Sequence, residues 1–132
     1  MIGLDTNILV RLAIDDDADQ MRRARAFLAA NCSAEDPGFI NRVTLCEMVW
    51  VLTSSYRLGR PQIARHITDL VVSTDIVLED TDAVRAAITR YAHTNIEFAD
   101  LLIAETNRSA GCKATATFDK RAAKLDSFMA VP

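Results

Sequence analysis

Apolar positions along the chain fall into short runs broken by polar turns. The opening "MIGLDTNILVRL" places Asp5, Thr6 and Asn7 between apolar residues, which predicts a short strand followed by a turn. "DDDADQMRRARAFLAANC" has polar starters and then Met21, Ala24, Phe27 and Leu28 at helical spacing. "EDPGF" signals a turn, with a very short strand at Phe39 and Ile40. "NRVTLCEMVWVLTSSYRLG" predicts a buried helix stopped by Gly59, and Pro61 suits the first turn of the next helix, "RPQIARHITDLVVS". "DIVLED" is strand-like, and "DTDAVRAAITRYAHT" is an amphipathic helix with Asp80, Thr81 or Asp82 as its cap. "NIEFADLLIAETNRSAG" predicts a further helix closed by Gly111. A β-rich "KATATFD", a helical turn "KRAAKL" and a last strand "SFMAV" complete the chain.

Strands alternating with helices predict an α/β protein whose parallel sheet carries helices on both faces. The 132 residues show no repeat or Pro/Gly-rich linker, so a single domain over 1–132 is expected. In such sheets functional groups gather beyond the carboxyl ends of the strands. Asp5 follows "IGL" and Asp119 follows "KATATF", both at the end of an expected strand.

Two more acids stand where acids are costly. Glu47 is the only charge between Arg42 and Arg57, within "VTLCEMVWVL". An unpaired ionised carboxylate buried there costs several kcal/mol (roughly). Asp100 repeats the pattern in "FADLLIAE". Neither has a cation three or four residues away, the helical pairing distance. Each alone reads equally well as an acid on an exposed stripe or in an ion pair. Four acids, two at strand ends and two in apolar helices, point to a shared compensating cation. All-oxygen donors favour magnesium or manganese over zinc.

Composition narrows the class. Half the residues are hydrophobic and a quarter charged, a globular balance. No apolar run approaches a membrane span, and no secretory signal is visible, so a cytoplasmic protein without membrane association is expected. Cys32, Cys46 and Cys112 form no metal-like pair or disulfide framework, in keeping with that compartment. His66 and His93 are isolated. "IDDDADQMRR" lacks the Gly and the later Glu of a calcium loop and reads as an acidic helix entry. The net charge of −3 disfavours nucleic acid at first sight, but setting the four acids aside leaves +1.

"LDTN" at the start, Glu in an apolar helix, "EFADLLIAE" and "ATFDK", in that order, resemble the PIN domain, most closely the VapC-like ribonuclease toxins of bacterial toxin–antitoxin modules. The resemblance implies a three-layer α/β/α sandwich with a central, mainly parallel sheet. It implies that Asp5, Glu47, Asp100 and Asp119 form an acidic quartet, with Thr6, Asn7 and Thr117 supporting it.

The expected activity is Mg2+- or Mn2+-dependent hydrolysis of RNA phosphodiester bonds. Asp5 and Asp100 are the preferred direct ligands, with Glu47 as base or water-mediated ligand, and Asp119 holding a second ion or water. Lys120, Arg121, Arg42 and Arg11 are the candidate RNA contacts, Lys120 and Arg121 the better placed because they follow Asp119 directly. The same resemblance implies a small cognate antitoxin and a homodimer. Leu52, Tyr56, Leu58, Ile63, Ile67 and Leu70 read as core first and as a docking face second. Rival readings are a non-catalytic PIN-like binding protein, a DNA-directed nuclease of the same fold, and a phosphatase using Asp5 as nucleophile. The last usually needs a second Asp where Asn7 stands.

Overall fold

The computed structural model describes all residues, 1–132. The protein is a helix-rich α/β chain with parallel strands, packed as two compact units, Met1–Thr81 and Asp82–Pro132.

In the first unit the strands β1 (Ile2–Gly3), β2 (Gly38–Ile40) and β3 (Ile76–Leu78) form a parallel sheet with β2 in the middle. Gly38 aligns with Ile2 on one side and Ile76 on the other. The ladder runs one residue past each strand end, with Leu4 N–H donating to the Phe39 carbonyl at 2.8 Å and Glu79 N–H to the Ile40 carbonyl at 2.9 Å. Helices α1 (Thr6–Ala13) and α2 (Ala18–Asn31) connect β1 to β2; α3 (Arg42–Ser54) and α4 (Arg60–Val72) connect β2 to β3. Parallel neighbours need such crossovers.

Two expectations change here. "TNILVRLA" is a helix, not a turn, because Leu9 and Val10 are buried at its packing face and Asp5 occupies its N-cap. Helix α3 is not buried all round. Leu45, Met48, Val49 and Leu52 face inward, while Val43 and Trp50 are 76% and 66% exposed. Apolar side chains on every face do not ensure cover on every face; α3 packs on α1 and α4. The helix also ends at Ser54, ahead of Gly59, and Arg57 takes a left-handed φ of 54° in the connection. Gly59 instead caps α4, where Pro61 lies in the first turn as expected and Gln62 Oε1 accepts from Gly59 N–H. Leu52, Ile63 and Ile67 are fully buried, so the core reading holds for these three, while Tyr56, Leu58 and Leu70 are half-buried.

The second unit contains α5 from Asp82 onward (the helix spans Thr81–His93), α6 (Phe98–Ser109) and a parallel pair, β4 (Thr115–Thr117) with β5 (Phe128–Ala130). A 3-10 turn, Ala122–Lys124, joins the two strands. Tyr91 and Phe98 meet edge to face, ring centroids 5.9 Å apart, at the α5–α6 corner. Gly111 ends α6 as expected, with φ 96° and its N–H donating to the Arg108 carbonyl at 3.0 Å.

Candidate active site

Asp5 follows β1 and begins α1. Its carboxylate Oδ1 accepts from Thr6 N–H at 2.8 Å, and its carbonyl accepts from Ile8 and Leu9 N–H. It is thus a helix cap whose side chain remains exposed. Thr6 is buried, and its Oγ1 is a buried polar atom without a hydrogen-bond partner. Such orphans are uncommon in folded proteins and call for a ligand or a water.

Of the readings open for Glu47, the structure shows the exposed stripe. It is exposed, on the uncovered side of α3, so burial does not make its charge costly. Together with Thr6 and Asn7 it lines a cavity of about 780 Å³ between α1, α2 and α3. The cavity lining does not include Asp5. At the far part of the same lining, Arg11 Nη1 donates to Asp16 at 2.8 Å, Arg11 Nε donates to Gln20, and Tyr56 Oη donates to the other Asp16 oxygen at 2.8 Å. The hydrogen bond from Tyr56, with Arg11 beside it, holds the Asp16 carboxyl below the usual range.

In the second unit, Asp100 sits in the first turn of α6, half-buried rather than fully buried. Desolvation pushes its carboxyl up, Asp119 and Glu97 push it further, and Arg121 alone works against them. Asp119 is drawn the other way, held down first by the N–H groups of Arg121 and Ala122, which donate to Oδ1 at 2.8 and 3.3 Å. Thr117 supports it, accepting the Asp119 N–H at 2.9 Å. Asn107 Nδ2 donates to Thr115 Oγ1 at 2.9 Å, which ties α6 to β4 and so ties the Asp100 helix to the Asp119 strand. Two carboxylates with oppositely displaced acidities form a polarised pair.

The cations divide. Arg11 is held by Asp16, and Arg42 pairs with Glu79 at 3.2 Å and Asp80 at 3.7 Å. Arg121 lies 3.7 Å from Asp119, and Lys120 is exposed and makes no ion pair. The one buried acid of the chain is Glu105, 4% exposed, between Arg90 and Arg108 at 3.9 Å each. Sequence reasoning passed over it, although Arg108 at three residues' distance was a visible signal. Phe27 and Tyr56, which line the cavity beside Glu47, carried no sequence signal beyond helical spacing.

Within each unit, no group of three or more His, Cys, Asp or Glu side chains stands close enough to enclose a metal ion. Magnesium needs fewer, since it keeps several waters and takes one or two carboxylates. In the second unit, the oxygen-only donors and the repulsion between Asp100 and Asp119 suit a hard divalent cation.

Within each unit an acid stands just beyond a strand, Asp5 past β1 in the first and Asp119 past β4 in the second. The PIN domain family model matches residues 2–127, and the chain belongs to that family. PIN domains are nuclease-type folds, commonly metal-dependent. Among curated proteins, none matches this chain. No helix is long and apolar enough to cross a membrane.

Proposed function

We propose that this protein is a Mg2+- or Mn2+-dependent endoribonuclease, the toxin of a bacterial toxin–antitoxin module. The observation that carries the reading is the opposed pair Asp100 and Asp119 in a PIN chain, an acid pushed up by burial and by its neighbour. Asp100 and Asp119, in the second unit, would hold the metal, and the resemblance to PIN domains gives Asp5 a ligand role as well. Bound there, magnesium or manganese supplies Lewis acidity toward the phosphoryl oxygen and lowers the pKa of coordinated water. Glu47 takes the proton of the attacking water. Oxygen of that water bonds to phosphorus, one P–O bond to ribose breaks, and the departing oxygen is protonated from solvent. Thr6, Asn7 and Thr117 orient the carboxylates, and Thr117 already holds the Asp119 backbone. Lys120 and Arg121 take the flanking phosphates, whereas Arg11 and Arg42 are engaged in ion pairs and serve the fold first.

A small antitoxin bound in the cytoplasm would silence the enzyme, since a partner guanidinium can replace the metal's charge among carboxylates. A homodimer is the working assembly of this proposal. The test is controlled expression in a bacterium with RNA ends mapped, wild type against Asp100→Asn. Growth arrest and new RNA ends are expected from wild type alone. Purified enzyme should lose cleavage in chelator and regain it with magnesium or manganese. Identical arrest and identical ends from both chains would overturn the assignment.

A further inference from the structure

The cavity between α1, α2 and α3 contains more than the acidic site needs. Phe27 is 42% exposed on α2, a helix whose only buried residue is Ala24. More than a third of this large apolar residue thus faces solvent on a polar helix. Phe27 lines the cavity, as does Tyr56, two residues past the end of α3. Tyr56 is not free to turn away, because its hydroxyl donates to Asp16, which Arg11 also holds. Gln20 is fixed in the same network through its Oε1, leaving its amide hydrogens as donors. Asn7 and Glu47 belong to the same lining. From Glu47 to Ser55, both in the lining, α3 rises about 12 Å, at about 1.5 Å per residue. The volume lies within the usual range for small-ligand sites, about 300–1,000 Å³.

We infer that this trough is a nucleobase subsite, in which an unpaired base of single-stranded RNA stacks on Phe27 and Tyr56 while Gln20 meets its polar edge. The inference rests on the ribonuclease reading and adds where the base goes. Aromatic stacking suits single strands, whose bases can be splayed out of a helix.

The test uses the full chain carrying Asp100→Asn to prevent cutting, with magnesium present. Anisotropy reads binding of short fluorescein-labelled oligoadenylate and of an abasic counterpart, and circular dichroism checks the fold. Phe27→Ala should weaken oligoadenylate about tenfold, consistent with about 1–3 kcal/mol per stacked base. Phe27→Trp should restore it, and the abasic strand should bind the Phe27→Ala chain and its parent alike. Equal loss on the abasic strand would mark a general structural defect and overturn the subsite. A Phe27→Ala chain that keeps full RNA affinity would also overturn it, leaving the trough to a protein side chain. Wild type that cleaves RNA at unchanged sites and rate after Phe27→Ala sinks the subsite alone. Wild type that neither binds nor cuts RNA removes the ribonuclease reading and the subsite with it.

Discussion

Asp16 shows how one hydrogen bond sets an acid. It is exposed, yet Tyr56 and Arg11 hold its carboxyl below the ordinary range. A depressed folded-state pKa contributes stability above the unfolded value, and that contribution is lost as pH falls through the folded one. The link between Asp16, Tyr56 and Arg11 therefore loosens only in acid. Tyr56→Phe should raise the Asp16 pKa toward the usual range, followed by NMR titration of its carboxyl carbon. An unchanged titration would show that Arg11 alone sets it. Glu47 and Asp100 teach a different lesson. Their apolar neighbours in sequence left burial open for both, but one is exposed and the other half-buried.

Element by element, local chemistry decides the ends of helices more than their surroundings do. Asp5 caps α1, Asp17 Oδ1 accepts from Gln20 N–H at the start of α2, and Asn41 Oδ1 from Thr44 N–H at the start of α3. Gly111 closes α6 in a backbone conformation that an L side chain adopts only with strain, although nothing crowds its Cβ position. Gly111→Ala should destabilise by about 1–2 kcal/mol, measured by urea unfolding, through the backbone alone. A loss much larger than that would mean a steric clash that the open surroundings do not predict.

For the whole chain, the Asp100 carboxylate is a cost until a cation arrives. Asp100 has its pKa raised by burial, so its ionised form weakens the fold as pH rises through the carboxylate range toward neutrality. In chelator at neutral pH, Asp100→Asn should therefore melt at the same temperature as wild type or higher, while losing cleavage. Added magnesium or manganese should raise the melting temperature of wild type and do so less for Asp100→Asn, because a ligand that binds only the folded state stabilises it. An equal shift in both chains would remove Asp100 from the metal site. The charge of −3, or +1 without the quartet, also predicts a shallow salt dependence of RNA affinity, since each phosphate contact on a single strand contributes a slope of about 0.7.

By itself the sequence determined the alternation of strands and helices, the parallel pairing it demands, and the placing of Asp5 and Asp119 just past strands. Those features follow from periodicity, turn chemistry and caps, all local in the chain. The ordered acidic motifs also carried the family. Only tertiary structure decided that α3 is covered on one side, that "TNILVRLA" is helical, and that Asp119 opposes Asp100. It also decided that Glu105 is the buried acid and that Phe27 and Tyr56 share a cavity with Glu47. Burial and acidity depend on what packs against a side chain, and those neighbours come from helices distant in the chain, which spacing along one segment does not encode.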